Sequence, residues 1–381
     1  MKHKSFAAIV LSAGFSSRMG AFKPLLRLGD ETALEKAVNL FRHAEVEHLQ
    51  VVVGHQAELL KPLVERLGVS CTVNPSYRDG MFSSVQSAMR KLPEGTDGFF
   101  LLPVDTPLVR SQTVKTLQQA WRTTCKGIIH PVFLGERGHP PVISTRYRQM
   151  ILESSGEGGL KALLSPFTED ILEIEVPDEH CVLDMDTPRD YAYLRHRWEN
   201  YAYPSYQECE HLLTHHFVVS PEVAEHCRQV ARVAVTLVVN LNRAGLDLNR
   251  ERIKAAAMLH DGCRAQPDHA AAGAKALYDL GFKNVADLVA THMDITVSEG
   301  DDPLPQEVLY LADKMVAGSR LVPLEERFAG KLKRFSDQSD ILEAVQRRLA
   351  AATRIRQKCE AIIKKPLSDL LCSNALASLK G

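Results

Sequence analysis

The chain has 381 residues, of which 45% are hydrophobic and 24% are charged, and its formal net charge is −1 at pH 7. This length predicts two domains, each large enough for a core of its own. A net charge near zero excludes a general polyanion-binding role, so we expect no nucleic-acid partner. We also expect no membrane partner, because no apolar stretch approaches the roughly 18 residues of a membrane span. The eight cysteines are scattered without a C-x-x-C pair, which favours a reducing, cytoplasmic location.

Short apolar runs alternate with stretches of helical spacing in the first half of the chain. A helix is predicted over Ala33–Arg42, and strands are predicted over Phe6–Val10, Leu49–Gly54, Gly68–Val73 and Phe99–Val104. This alternation predicts an α/β domain over residues 1–197, with a doubly wound, mostly parallel sheet that binds ligands beyond the carboxyl ends of its strands. A linker is expected over 198–208. Helical spacing then predicts an all-α domain over 209–381, with charged packing helices from 324 onward.

The loop after the first predicted strand, Leu11–Lys23, is rich in glycine, serine and basic residues. Its glycines let the backbone approach a ligand closely, its serines offer donors, and its basic side chains supply positive charge. The residues concerned are Gly14, Gly20, Ser16, Ser17, Arg18 and Lys23. Glycine and serine alone more often mark ordinary turns. With basic side chains at a strand end, however, they predict a polyphosphate site.

Carboxylates follow two later segments of the same predicted domain. Asp105 comes directly after the most hydrophobic strand, and Asp184 and Asp186 alternate before Thr187-Pro188. Local roles also fit, since Asp-x-Pro is common turn chemistry and Thr-Pro starts helices well. Beside a phosphate loop, the carboxylates predict a Mg²⁺ site, with Asp105 and Asp186 as the first choices and Asp184 as the second.

These segments, in this order, resemble the motifs of nucleotidyltransferases with a Rossmann-like fold, and most closely those of MobA-like molybdenum-cofactor cytidylyltransferases. The matched motifs are L-A-A-G-x-S-x-R-M-G-x-x-K at 11–23, N-P-x-x-x-x-G-M-S-S-S-L at 74–85, G-D-x-P within 103–107, G-H-P at 138–140 and D-I-D-T-P-E-D at 184–190. Ser12, Phe82 and Pro103 depart from these patterns, whereas Ala13 favours cytidine over guanosine. The resemblance covers nearly all of residues 5–196.

The resemblance implies Mg²⁺-dependent transfer of CMP from CTP, the preferred NTP, to the terminal phosphate of molybdopterin cofactor. The implied catalytic residues are Arg18, Lys23, Asp105 and Asp186. The implied nucleotide-binding residues are Leu11, Ser12, Ala13, Gly14, Ser16, Ser17, Arg18, Lys23, Ser83 and Ser84, and the implied acceptor-binding residues are Gly138, His139 and Pro140. From the residues alone, Ser83 and Ser84 equally fit a helix cap, and the G-H-P stretch equally fits a plain turn. A molybdoenzyme that receives the cofactor is a further implied partner.

Histidines and aspartates are widely spaced in the second predicted domain. His226 falls in a predicted helix, Pro221–Leu241, and His260-Asp261 ends another, Arg250–Leu259, with Asp313 further along. Singly, each is better explained as a buried histidine or a helix cap. In this order and context they resemble the HD-domain metal phosphohydrolases, in which metal-activated water attacks a phosphoester or anhydride. His269 and His292 match the extra ligands of two-metal members, so the resemblance implies one or two metals such as Mn²⁺ or Fe²⁺.

Three alternative functions stay open. The first domain can transfer a nucleotide to another small phosphate, such as a sugar or alcohol phosphate. It can also be a regulatory binding protein that senses a nucleotide or escorts the cofactor to a target enzyme. The second domain can be a metal-bound ligand sensor in place of a hydrolase.

Overall fold

The computed structural model describes residues 4–371 and 376–379. The chain divides into two compact units, one ending at Tyr201 and the other beginning at Ala202. This division falls inside the stretch 198–208. Residues 372–375, which include Cys372, and residues 380–381 of the predicted C-terminal helical region lie outside the described residues.

The first unit is built on one large sheet. Its strands and those of a small hairpin are β1 Phe6–Ser12, β2 Arg27–Leu28, β3 Glu31–Thr32, β4 His48–Val53, β5 Ser70–Val73, β6 Gly98–Pro103, β7 Ile128–Phe133, β8 Glu136–Arg137, β9 Val142–Ser144 and β10 Ile171–Glu175. Eight strands form the sheet in the order β10-β7-β9-β6-β1-β4-β5, with β8 paired to β7, while β2 and β3 pair separately. The pairs β1–β4, β1–β6, β4–β5 and β7–β10 are parallel. The predicted α/β architecture with a mostly parallel sheet is therefore confirmed.

Both faces of this sheet are covered, which explains the continuous apolar runs in its central strands. Successive side chains of a strand point to opposite faces, so Ala8 and Val10 join one core while Ile9 and Leu11 join the other. The covering helices are α1 Ala33–His43, α2 Ala57–Arg66, α3 Met81–Arg90, α4 Ser111–Thr123, α5 Arg148–Glu153, α6 Gly159–Leu164 and α7 Pro188–Glu199.

The parallel arrangement brings the carboxyl ends of β1 and β6 side by side, because Leu11 is paired in register with Pro103. The loop that follows β1 and the carboxylate that follows β6 therefore lie at the same edge of the sheet. One difference from the expected pattern is β9, which runs antiparallel between β6 and β7. This strand has only three residues, too few for a period to be read from the sequence.

Helix α7 begins at a capping box that follows the second acidic segment. The Thr187 side chain accepts a hydrogen bond from the Asp190 backbone N–H at 3.3 Å, and the Asp190 carboxylate accepts one from the Thr187 N–H at 2.7 Å. The helix start predicted at Thr187-Pro188 is thus confirmed. Both bonds satisfy backbone donors that the first helical turn leaves unpaired.

Thr187→Ala is expected to lower the free energy of unfolding by about 1 kcal/mol, because it removes the side-chain half of this box. Denaturant unfolding followed by circular dichroism measures the change. The matched control is Thr123→Ala at the exposed end of α4, whose hydroxyl donates to the Ala120 carbonyl at 3.0 Å and caps no donor. The control should change stability by less than about 0.5 kcal/mol. Equal losses in the two variants would contradict the role of the cap.

The second unit is predominantly helical. Its helices are α8 Tyr206–His211, α9 Pro221–Arg243, α10 Arg250–Leu259, α11 His269–Asp279, α12 Lys283–Val289, α13 Pro305–Lys314, α14 Leu324–Arg334, α15 Ser339–Ile363 and α16 Leu367–Leu370, and a π-helical turn, Leu212–His216, follows α8. The all-α expectation is correct apart from a two-stranded hairpin, β11 Val316–Ala317 and β12 Arg320–Leu321. Strands of two residues leave no readable pattern in a sequence. Among the described residues, none of the helices combines the length and apolarity that crossing a bilayer requires.

Candidate functional sites

The loop after β1 forms one wall of a cleft of about 320 Å³ at the carboxyl edge of the sheet. Of the predicted nucleotide-binding residues, those that line the cleft are Leu11, Ser12, Ala13, Gly14, Ser16, Lys23 and Ser84. The Ser12 hydroxyl is buried and has no hydrogen-bond partner within the described part of the chain. A buried hydroxyl without a partner is costly, and here it lies in a cleft wall where a ligand can satisfy it.

Ser16 gives the loop its shape. Its φ of 55° is left-handed, and its hydroxyl accepts a hydrogen bond from the Lys23 backbone N–H at 3.2 Å. Gly20 is also left-handed, with a φ of 69°, whereas Gly14 is not among the positive-φ glycines. The expectation that Gly14 and Gly20 provide the backbone freedom is therefore correct for Gly20, while Ser16 takes the other unusual conformation. Ser17 is exposed.

Lys23 lies between two carboxylates that come from distant parts of the sequence. Its Nζ is 3.1 Å from Asp105 Oδ2 and 2.7 Å from Asp186 Oδ1, and Arg18 Nη2 is 2.8 Å from Asp186 Oδ2. Burial alone would lower the pKa of Lys23, but Asp186 and Asp105 together raise it above its ordinary value. The structure thus brings the four predicted catalytic residues into one charged cluster, with Lys23 protonated at neutral pH.

Asp184 stands beside this cluster and is exposed. Partial burial and the negative charges of Asp186 and Asp105 raise its pKa. Three carboxylates placed close together repel one another, and a divalent cation relieves this repulsion.

Ser83 and Ser84 lie in the first turn of α3 but do not cap it, because the residue before the helix is Gly80 and no side-chain cap is present. The capping interpretation of these serines is wrong. Instead, Asn74 Nδ2 donates to Ser83 Oγ at 2.8 Å and to Ser84 Oγ at 2.9 Å. The buried Asn74 therefore fixes the hydroxyl of Ser84 in the wall of the cleft, while Ser83 bonds to the backbone carbonyls of Ser76 and Gly80.

The cleft also has an aromatic side that the motifs did not indicate. The rings of Phe15, His55 and Tyr77 lie together, with centroids 5.0 Å apart for Phe15–His55 and 5.3 Å for Phe15–Tyr77. Tyr77 and Arg78 line the cleft directly. Both occupy variable positions between Asn74-Pro75 and Gly80-Met81, so no residue-type signal pointed to them.

Gly54→Ala should displace this aromatic side. A Cβ at Gly54 would lie 2.6 Å from Tyr77 Cβ and 2.9 Å from Ala13 Cβ, and such overpacking typically costs about 1–3 kcal/mol of stability. We expect this loss together with a higher KM for the nucleotide, measured by denaturant unfolding and steady-state kinetics. Gly330→Ala, where a Cβ has nothing within 4 Å, is the control. An unchanged KM in Gly54→Ala would contradict this role of the aromatic side.

The predicted acceptor residues follow β8. The Gly138 N–H donates to the Pro131 carbonyl and the His139 N–H donates to the Cys181 carbonyl, so the segment is held on two sides. A Cβ at Gly138 would lie 2.6 Å from the Cys181 carbonyl oxygen, which excludes larger residues there. Burial lowers the pKa of His139, although the charge of Asp105 acts in the opposite direction. His139 is thus neutral at pH 7 and within electrostatic reach of Asp105.

In the second unit, separate elements bring six predicted metal ligands together. The side chains come from α9 (His226), the residues after α10 (His260 and Asp261), the start of α11 (His269), the residues after α12 (His292) and α13 (Asp313). Two triads have ligand atoms within 4.8 Å of one another, namely His226, His260 and Asp261, and Asp261, His269 and His292.

Asp261 belongs to both triads, and Asp313 lies next to His226 and His260 of the first. Asp261 Oδ2 is 3.7 Å from His226 Nε2 and 3.6 Å from His260 Nε2, while its Oδ1 is 3.3 Å from His269 Nε2. Asp313 Oδ1 is 3.3 Å from His226 Nε2 and 3.7 Å from His260 Nε2. One carboxylate facing imidazoles on both sides can bridge two cations.

Backbone carbonyls orient three of the imidazoles. His226 Nδ1 is 2.8 Å from the Gly318 carbonyl, His260 Nδ1 is 2.9 Å from that of Ala257, and His292 Nδ1 is 2.7 Å from that of Val289. A carbonyl only accepts, so each Nδ1 carries a proton. Such contacts turn Nε2 toward a metal in known sites. Gly318, which orients His226, lies in the turn of the hairpin β11–β12, which was not predicted.

The His260 side chain decides whether this cluster suits a metal. The residue is fully buried, and its Nε2 has no hydrogen-bond partner among the described residues. Burial would lower its pKa, but Asp261 and other neighbouring groups raise the pKa well above its ordinary value. A buried imidazole nitrogen that lacks a bond and faces two carboxylates fits a transition-metal ion.

Comparisons with known proteins agree with this division. Residues 8–172 match the family model of the MobA-like NTP transferase domain, and residues 223–318 match that of the HD domain. The chain is 26% identical over 192 residues to the molybdenum cofactor cytidylyltransferase of Escherichia coli strain K12, a match that covers 50% of this chain and 95% of that protein. It is 33% identical over 121 residues to the bifunctional protein GlmU of Corynebacterium aurimucosum, covering 30% of this chain and 25% of that protein.

Among solved structures, a nucleotidyl transferase from Methanothermobacter thermautotroptrophicus is similar, with 21% identity and a TM-score of 0.46, over 52% of this chain and 99% of that chain. The two family matches lie within the two compact units. The HD match contains all six predicted metal ligands, whereas the transferase match contains Arg18, Lys23 and Asp105 and ends before Asp184 and Asp186. The chain therefore joins a MobA-like NTP transferase domain to an HD domain, and its first half is a nucleotidyltransferase.

Proposed function

We propose that the first domain transfers CMP from CTP to the phosphate of a molybdopterin-type acceptor. The observation that carries the proposal is the placement of Lys23 between Asp105 and Asp186 at the edge of a nucleotide-sized cleft. The similarity to a molybdenum cofactor cytidylyltransferase supports cytidine and this acceptor. The product would be passed to a molybdoenzyme.

In the proposed reaction, an acceptor phosphate oxygen forms a bond to the α-phosphorus of CTP, and the bond between that phosphorus and the bridging oxygen breaks. Pyrophosphate leaves with the bonding electrons. A phosphate nucleophile needs little help from a base, so alignment and charge neutralisation carry the rate. Arg18 and Lys23 would hold the triphosphate, and Gly138, His139 and Pro140 would contact the acceptor.

The carboxylates of Asp105 and Asp186, with Asp184 beside them, are the residues that would hold Mg²⁺. Hard carboxylate oxygens suit this cation. Burial and the negative charges of Asp186 and Asp105 raise the pKa of Asp184, and a bound cation would relieve this repulsion between the carboxylates. When bound, Mg²⁺ supplies positive charge against the phosphate oxygens. Lys23 would then exchange its carboxylate partners for phosphate.

The acceptor is tested by measuring nucleotide-linked products with CTP, Mg²⁺ and, in parallel, molybdopterin cofactor, a sugar phosphate and an alcohol phosphate. Product with molybdopterin above the others supports the proposal. Product only with a sugar or alcohol phosphate would assign a different acceptor to the same chemistry. Binding of CTP without any turnover, unchanged by Asp105→Ala, would favour the regulatory alternative.

For the second domain, we propose a metal-dependent phosphohydrolase. The supporting observation is the buried cluster around His260, with three imidazoles oriented by carbonyls. His226, His260, Asp261 and Asp313 would hold one metal, and Asp261, His269 and His292 would hold a second. Mn²⁺ and Fe²⁺ suit a mixed imidazole and carboxylate set. When bound, such an ion supplies activated water.

Phosphatase activity that is lost on chelation and restored by Mn²⁺ or Fe²⁺ would support this function. Tight metal binding without hydrolysis of any phosphoester would favour the ligand sensor.

We also propose a cytoplasmic location. It is supported by the seven described cysteines, which are all free thiols.

A further inference from the structure

A small cavity lies over the six predicted metal ligands of the second domain, which we call the metal-type cluster. Its volume is about 130 Å³, and the ligand residues on its wall are Asp261, His269 and Asp313. Five further residues of the wall are basic, namely Arg264, Lys314, Arg327, Lys331 and Arg348. Five cationic side chains surround two carboxylates that would bind metal. They give the cavity a positive electrostatic potential, which favours a ligand of high negative charge.

Three of these cations already have acidic partners. Arg264 pairs with Asp261, and Lys314 Nζ is 2.5 Å from Asp313 Oδ2. Arg348 forms a bidentate pair with Asp294, in which Nε donates to Oδ1 at 2.7 Å and Nη2 donates to Oδ2 at 2.6 Å. These contacts fix the three side chains around the cavity.

The other two cations, Arg327 and Lys331, face the same cavity from α14. Within residues 4–371 and 376–379, neither side chain contacts a carboxylate. Partial burial of its ammonium group and the positive charges of Arg327, Lys314 and Arg348 lower the pKa of Lys331, whereas the charge of Asp313 acts in the opposite direction. Neighbouring like charges repel one another, so an anion that enters the cavity gains the attraction of Arg327 and Lys331.

The size of the cavity limits the anion. Its volume of about 130 Å³ is well below the roughly 300–1,000 Å³ of pockets that enclose drug-sized ligands. Its apolar wall residues are Met293 and Phe328, and Phe328 is only 3% exposed, so its ring offers no stacking surface to a base. The cavity therefore suits phosphate groups without a nucleoside.

We propose that the second domain hydrolyses inorganic pyrophosphate, the compact anion that the first domain releases. This inference rests on both proposed functions. A water oxygen bonds to one phosphorus, the bond from that phosphorus to the bridging oxygen breaks, and P₂O₇⁴⁻ and H₂O become two HPO₄²⁻, each product taking one proton of the water. Loss of pyrophosphate draws the nucleotidyl transfer toward its product by mass action. Arg327 and Lys331 are the residues that select the diphosphate.

The test measures phosphate release from pyrophosphate by the full chain with Mn²⁺. Lys331→Ala should raise KM for pyrophosphate at least about tenfold, because a charge-assisted contact to the substrate is lost. Lys333→Ala is the matched control, since Lys333 is exposed on the same helix and does not line the cavity, and its KM should not change. Calorimetric binding of imidodiphosphate, which needs no turnover, should weaken by the same factor in Lys331→Ala alone.

The remaining substrates separate this inference from the function on which it rests. Hydrolysis of nucleotides or p-nitrophenyl phosphate, with no hydrolysis of pyrophosphate, would overturn the inference and leave the phosphohydrolase intact. Equal KM values and equal imidodiphosphate affinities in the wild type, Lys331→Ala and Lys333→Ala would also overturn it. No hydrolysis of any of these substrates, with any divalent metal, would refute the phosphohydrolase itself.

Discussion

Asp105→Asn is expected to lower the rate of nucleotidyl transfer by about 100- to 1,000-fold, the range found when a group that stabilises developing charge is removed. The substitution keeps the shape of the side chain and removes one of the two negative charges that pair with the Lys23 ammonium group. It also removes a carboxylate that would hold Mg²⁺, so a higher Mg²⁺ requirement should accompany the loss. Initial rates over a range of Mg²⁺ concentrations measure both effects.

Asp30→Asn removes the same charge from an exposed turn and serves as the control. It should retain the wild-type rate and the wild-type Mg²⁺ requirement. A wild-type rate in Asp105→Asn would show that the cluster around Lys23 is structural, and it would revive the regulatory interpretation of this domain.

His260→Gln should abolish metal binding to the first triad of the second domain. Glutamine has a similar volume but no imidazole nitrogen, so the packing is largely preserved while the buried Nε2 is lost. Since a bound metal supplies several kcal/mol to hydrolysis, we expect the phosphohydrolase activity to fall by about 100- to 1,000-fold. Metal content after dialysis, measured by mass spectrometry, should fall by at least one ion per chain.

The control for this experiment is His215→Gln. His215 is an exposed histidine on the π-helical turn, and its substitution should leave both metal content and activity unchanged. If His260→Gln binds as much metal as the wild type, the buried cluster is not the metal site.

Much of the transferase site could be predicted because its residues stand in contiguous motifs. Lys23 and Asp105 are separated by 82 positions, but each follows a recognisable strand, and parallel strands end at the same edge. Asn74 stands in a matched motif, but its role was not predicted, since its residue type does not distinguish a side chain that orients a serine from one in an ordinary turn. Tyr77 occupies a variable position of the same motif and was not predicted at all. Their roles depend on how the turn folds back on the cleft.

The second site shows a different limit. Histidines and aspartates such as His226 and Asp313 carry a chemical signature, and their order along the chain was enough to group them by resemblance. The basic wall of the cavity was missed, because Arg327, Lys331 and Arg348 look like solvated charges on packing helices. Only the packing of α14 and α15 brings them over the metal-type cluster.

The base and the acceptor are tested together by a competition assay that contains equal CTP and GTP, molybdopterin cofactor and Mg²⁺, with products resolved by mass. The cytosine dinucleotide should be the main product, formed by the wild type and strongly reduced in Asp105→Asn. A predominance of the guanine dinucleotide would contradict the assignment of the base. The absence of any dinucleotide, with the acceptor recovered unchanged, would contradict the proposed transfer reaction itself.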